Sequence, residues 1–186
     1  MSINRRVRIA YFWVFLLIVF SPDAILAVSR EGPQLGQAAS VEDIAAWDMS
    51  VFPDGHGLPP GQGTAIEGKQ VYEQRCVSCH GPQGIGGSAD ELAGGRAALA
   101  GPHPDKNLGN YWPYATTAFD FIRRSMPLDA PGSLGDDQVY AVTAYLLYLN
   151  GLVAENATIN AQSLPAIKMP NREGFIWIDA PDTRTK

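Results

Sequence analysis

A chain of 186 residues with 46% hydrophobic and 18% charged side chains is long enough for one domain with a modest core. Its net charge of −5 and the absence of a basic patch argue against a nucleic-acid partner. The 14 prolines and 19 glycines point to many turns and few long strands.

Residues 1–27 read as a secretory signal peptide. Arg5, Arg6 and Arg8 form a basic start, Ala10 to Phe20 is an apolar run without a charge, and Ala27 offers a small residue before the cut. The apolar run is short of the ~20 residues that cross a bilayer, which favours cleavage over a retained anchor. The expected location is periplasmic, with no membrane span after cleavage. Cleavage removes three arginines and one aspartate, taking the net charge from −5 to −7. Such an acidic surface suits encounter with a basic redox partner, and equally serves solubility.

Residues 28–63 read as an irregular arm, because Phe52 to Gly61 is crowded with Pro and Gly. A helical turn or two is expected over Val41 to Trp47 behind Ser40, with Trp47, Val51 and Phe52 pinning the arm to the domain. Thr64-Ala65-Ile66-Glu67 is a capping box opening a helix into Cys76. Gly68, Val71, Tyr72 and Arg75 share one face of it. A glycine in mid-helix costs about 1 kcal/mol relative to alanine, so close approach of another helix is expected there.

Cys76-Val77-Ser78-Cys79-His80 follows, and it uses both cysteines of the chain. C-x-x-C-H is the attachment sequence of a c-type haem. Two thiols one helical turn apart can add to the two vinyl groups of one macrocycle, and the next histidine then supplies an imidazole to the iron. A redox dithiol would sit after a strand in an α/β pattern, which the sequence lacks. A zinc site would need further ligands, and only the isolated His56 and His103 remain. One covalently bound haem c is therefore the expected cofactor, with Cys76 and Cys79 as attachment points and His80 as an axial iron ligand.

Beyond His80, Gly81 to Gly87 reads as a loop around the haem edge. Asp90 to Leu99 reads as weakly helical, with Leu92 and Leu99 as candidates for pocket lining. In the aromatic run Tyr111 to Tyr114, Trp112 is a candidate donor to a haem propionate. Thr117 is expected to begin a short helix, with Asp120 completing its capping pattern. Phe119, Ile122 and Met126 lie on one face of it, and Pro127 ends it, so it delivers a thioether at its exit. Arg123 and Arg124 are expected to form ion pairs or mark a docking edge.

Asp136 and Asp137 open a last helix that runs to Asn150, with Gly151 just beyond its end. Val139, Val142, Leu146 and Leu149 form an amphipathic stripe on it, flanked by Ala141 and Tyr145. Tyr145 is the expected partner for the Gly68/Tyr72 face. Residues 152–186 read as an extended tail that wraps the domain or covers a partner, with Phe175 to Ile178 as an apolar cluster. The resulting division is a 1–27 signal peptide, a 28–63 arm, a 64–151 monohaem domain and a 152–186 tail. For the sixth iron ligand, Met126 at a helix exit is favoured over Met169, which lies beyond the last helix, and over a histidine. Ordinary packing is the competing role of each methionine.

Gly68 and Tyr72 before Cys76 to His80, then Met126-Pro127, then Ala144-Tyr145-Leu146, resemble the class I monohaem cytochromes c over residues 64–151. That resemblance implies an all-α shell around one haem and single-electron transfer. Gly109 to Thr117, Phe121 to Pro127, Tyr140 to Tyr145 and Leu164 to Arg172 look like the SoxD-type cytochromes. These accept electrons from a molybdenum protein of sulfite-oxidase type in sulfur-compound oxidation, with the methionine matching Met126 as the expected ligand. SoxD itself is typically longer and carries a second haem motif, absent here, so the resemblance is to its first haem domain or a stand-alone relative. The leading expectation is thus an electron-transfer protein without a catalytic residue of its own, passing electrons from such a partner to a downstream acceptor. The competing readings are a general periplasmic carrier, a haem enzyme or gas sensor with an open sixth site, and a structural subunit.

Overall fold

The computed structural model describes residues 36–94 and 99–176. The expected signal peptide, and Trp177 and Ile178 of the apolar cluster, lie outside the described residues. The chain divides into two units, Met1–Ser40 and Val41–Lys186. Residues 36–40 carry no regular structure, and all that follows concerns the second unit.

The fold is helical, as expected, with a single two-stranded ladder among the described residues. The order is α1 (Val41–Trp47), β1 (Gln62–Gly63), α2 (Ala65–Arg75), α3 (Val77–His80), α4 (Ala115–Ser125), α5 (Asp136–Leu149) and β2 (Ile159–Asn160). Single 3-10 turns follow at Pro82–Gly84 and Leu164–Ala166. No helix among the described residues is long and apolar enough to cross a membrane.

α2 and α5 cross at Gly68. A methyl group there would overlap the Ala141 carbonyl and come within 2.8 Å of Tyr145 Cβ. The glycine thus lets two backbones touch, and its propensity cost is offset by that contact. One turn on, Tyr72 meets Tyr145 with ring centroids 5.3 Å apart. α2 is capped as its sequence predicts: Thr64 Oγ1 accepts the Glu67 N–H, and Glu67 Oε2 accepts the Thr64 N–H at 2.8 Å.

α5 departs from the amphipathic expectation. Every residue from Val139 to Leu147 is buried, because α2, α4, β1 and β2 all pack around it. A helix covered on all sides needs no polar face. Phe119 of α4 stacks against Tyr140 at 4.5 Å, and both are fully buried. Gly151, with φ +71°, follows the helix end as expected.

The arm and tail meet in the ladder, where Gln62 pairs with Asn160 and Gly63 with Ile159. The sequence gives no strand signal of such length. Tyr140 donates to the Pro59 carbonyl at 2.9 Å and the Gln62 N–H donates to Asp137 at 2.8 Å, tying the arm to α5. The three residues expected to pin the arm divide. Val51 is buried, but Phe52 is 52% and Trp47 86% exposed, and the apolar face of α1 (Val41, Ile44, Trp47) points outward. Two expected helices also differ. Of the helix expected over Asp90 to Leu99, residues 95–98 lie outside the described residues and residues 90–94 are irregular, held by side-chain and backbone bonds to the residues around His80. α4 begins at Ala115, with Tyr114 as a cap residue that makes no side-chain cap bond, so Thr117 lies inside the first turn. Asp120 is not a cap residue either, since other donors claim its carboxylate.

Candidate haem site

α2 ends where Cys76 breaks helical geometry (φ −123°, ψ −34°), and α3 starts at the next residue. The Cys76 carbonyl accepts the N–H groups of Cys79 and His80 at 3.2 and 3.0 Å. This short turn puts the two thiols three residues apart on one side and His80 directly after them. Cys76 is half-buried and Cys79 exposed. Burial pushes the Cys76 thiol up to about 11.

His80 Nδ1 lies 2.8 Å from the Asp90 carbonyl oxygen. A carbonyl only accepts, so Nδ1 carries the proton and Nε2 keeps its lone pair. That is the tautomer an iron-bound imidazole requires, with its ring orientation fixed by the backbone. The loop is tied down around it. Ala89 N–H donates to the Cys79 carbonyl and Leu92 N–H to the Gly84 carbonyl, both at 2.8 Å. Tyr72, buried beneath, donates its hydroxyl to the Gly81 carbonyl at 2.8 Å. Two thiols at this spacing and a histidine with a free Nε2 are the donor set that haem c needs, so the residues fit the group.

Met126 leaves α4 in extended conformation, its N–H donating to the Ile122 carbonyl at 3.0 Å. It is half-buried against the core. Arg75, one residue before Cys76, donates to Ser133 Oγ at 2.8 Å, which joins the cysteine motif to the loop after Met126. Met169 is only 3% exposed and packs within the core. Its segment is held by Asn171, which donates to the Tyr111 carbonyl at 2.7 Å, and by Arg172 over the Tyr114 ring at 4.3 Å. Trp112 is half-buried, edge-on to Phe121 with centroids 5.8 Å apart. Leu92 and Leu99 are half-buried. His56 and His103 are exposed, and among the described residues no cluster of three or more His, Cys, Asp or Glu side chains could hold a further metal ion.

Two buried polar residues escape sequence reasoning. Asn107, 3% exposed, accepts the N–H groups of Gly109 and Asn110 at 2.9 and 3.1 Å, while its Nδ2 has no protein acceptor among the described residues. The Asn-x-Gly-Asn spacing signals the turn but not the unused donor. Asp120, 7% exposed, accepts the Val51 N–H at 3.0 Å and a bond from Arg124. Nothing in the local sequence shows that its partner lies 69 residues away.

Comparison with known proteins bears on this geometry directly. The family model for cytochrome c matches residues 65–150. The thiosulfate dehydrogenase of Allochromatium vinosum is 35% identical over 100 residues, covering 50% of this chain and 36% of that protein. That of Stutzerimonas stutzeri is 37% identical over 91 residues, covering 47% and 28%. The chain thus spans about a third of the length of the curated relatives it matches. A chain of the sulfane dehydrogenase SoxCD from Paracoccus pantotrophus is 41% identical, with a TM-score of 0.73 over 83% of this chain and 76% of that one. Haem c, covalently bound, is the cofactor of this family. With its helical shell, its C-x-x-C-H turn and a solved relative that matches most of both chains, the protein belongs to the class I cytochromes c, among those of SoxD type.

Proposed function

We propose that this cytochrome is a periplasmic single-electron carrier that takes electrons from a molybdenum-containing partner of sulfite-oxidase type during sulfur-compound oxidation. The observation that carries the reading is the His80 turn, set in a chain that matches one of a sulfane dehydrogenase over most of its length. Cys76 and Cys79 tether the macrocycle through thioether links. His80, its Nδ1–H held by the Asp90 carbonyl, presents Nε2 to the iron. Met126, half-buried at the exit of α4, rather than the core-packed Met169, would supply the second iron ligand. When bound, the haem supplies a one-electron couple, raised in potential by histidine–methionine ligation. Trp112 and the unused Nδ2 of Asn107 are the donors we assign to the propionates. If His80 and Met126 both hold the iron, the chain would leave no coordination site for a substrate, and the exposed side of the Cys79 turn would be the working surface.

The test is reduction of the oxidised holoprotein by sulfite in a preparation that retains the molybdenum partner. Rapid appearance of the ferrous spectrum supports the reading. No reduction, in a sample that dithionite still reduces, removes sulfite and that partner and leaves a general carrier. A second reading has its own support in the 35–37% identity to thiosulfate dehydrogenases: oxidation of a sulfur compound at this chain's own haem. Reduction by thiosulfate with no partner present would favour it.

A further inference from the structure

The last turn of α4 is held from three directions within a few residues of Met126. Arg123 Nε pairs with Asp136 at the start of α5 at 3.2 Å, and its Nη1 reaches the Met49 carbonyl at 3.5 Å. Arg124 pairs with Asp120 one turn back in the same helix. Asp120 in turn accepts the Val51 N–H from the arm at 3.0 Å, and Thr116 Oγ1 donates to the Pro53 carbonyl at 3.4 Å. Asp120 is therefore one of three points where helix and arm are joined, and it is a carboxylate 7% exposed. A buried carboxylate costs free energy unless its hydrogen bonds are satisfied, and here both partners are directional and specific. An apolar residue there would leave the Val51 N–H without its acceptor and Arg124 without its partner, so the carboxylate does more than fill space.

We propose that Asp120 and Arg123 are positioning residues for the sixth iron ligand: together with the arm segment Met49–Pro53 they clamp the end of α4 so that Met126 stays on the haem. The proposal rests on the reading of Met126 as that ligand. Met126 follows Ser125 in extended conformation and is tied to α4 by one backbone bond to Ile122. Its sulfur is therefore placed by the axial and rotational position of the helix end. A thioether is a weak ligand for ferric iron, and a small displacement of the helix is enough to let it leave. The clamp gives the helix end one position. It also assigns a function to the arm, which otherwise has no part in the site.

The experiment compares ferric and ferrous holoprotein of wild type, Met126→Ala, Asp120→Ala, Asp120→Asn, Arg123→Ala and the control Tyr140→Phe. The control loosens the arm at Pro59 without touching the end of α4. Two readouts are taken: the long-wavelength sulfur-to-iron charge-transfer band of the ferric protein, and the rate of carbon monoxide binding to the ferrous protein. Met126→Ala abolishes the band. Asp120→Ala and Arg123→Ala weaken it and speed carbon monoxide binding by about tenfold or more, the factor carried by a lost charge-assisted hydrogen bond. Asp120→Asn, which keeps an acceptor for Val51 but loses the charge facing Arg124, falls between them and wild type. Tyr140→Phe matches wild type. If Met126→Ala keeps the band, the ligand reading fails and the clamp with it. If Met126→Ala loses the band while Asp120→Asn and Arg123→Ala behave as wild type, the clamp alone is overturned. Asp120→Asn and Arg123→Ala decide the matter even where Asp120→Ala does not fold.

Discussion

At His80 the chemistry depends on a single backbone acceptor. The Asp90 carbonyl accepts a hydrogen bond from Nδ1–H at 2.8 Å, which leaves Nε2 free for the iron in the proposed reading. The histidine itself was legible, because thioether attachment fixes the spacing of Cys76, Cys79 and His80. Asp90 was not, because a carbonyl acceptor is common to every residue type and carries no sequence signature. Asn107 is a similar case. Its Oδ1 satisfies two backbone N–H groups in a buried turn, and Asn107→Ala would leave both without an acceptor. The expected loss is about 1–3 kcal/mol of stability, measured by urea unfolding. A loss indistinguishable from zero would mean that the turn does not depend on this side chain. At Met126, replacement by histidine exchanges a thioether for a stronger imidazole donor and is expected to lower the midpoint potential. An unchanged potential in a redox titration would remove Met126 from the iron.

Among the elements, the α2–α5 crossing sets the geometry of the site. Gly68→Ala gains about 1 kcal/mol of helix propensity but drives a methyl group into the Ala141 backbone. Backbone atoms cannot rotate away as a side chain can, so a net destabilisation of about 1–3 kcal/mol is expected from chemical denaturation. A stabilised variant would show that the helices do not meet there. This crossing could be read in advance from an expensive glycine and a facing tyrosine. The capping box of α2 and the end of α5 at Gly151 were legible for the same reason, since each is a local backbone requirement with its own residue type. What escaped depends on partners distant in sequence. The burial of α5 on every side comes from four elements assembled around it. The start of α4 at Ala115 was masked by a Thr–Asp spacing that imitates a cap, while Asp120 is committed to Val51 and Arg124. The outward face of α1 shows the converse error, because apolar periodicity reports a face and not what covers it.

Over the whole molecule, burial raises three tyrosines together. Tyr72 and Tyr140 are each pushed up to about 12 from an ordinary value of 10, and Tyr145 is raised as well. Between about pH 10 and 12 the unfolded chain releases phenolic protons that the folded chain retains. Stability is therefore fully present below about pH 10 and falls as pH rises toward 12. The denaturation midpoint is expected to drop across that window, and Tyr72→Phe to shallow the drop. A midpoint independent of pH there would contradict the burial of these hydroxyls. At the same scale, residues 41–63 of the arm and 152–176 of the tail are structural parts of the second unit. The Tyr140–Pro59 bond fastens the arm to α5, the β1–β2 ladder joins arm to tail, and the Asn171–Tyr111 bond holds the tail to the turn before α4. Under the proposed function this chain would hold its iron from both sides and work as an electron carrier. Near-infrared magnetic circular dichroism of the ferric holoprotein tests it most directly, because the band energy identifies the axial pair. A low-spin histidine–methionine signal is the expected result. A high-spin signal, or one from two nitrogen ligands, would contradict it.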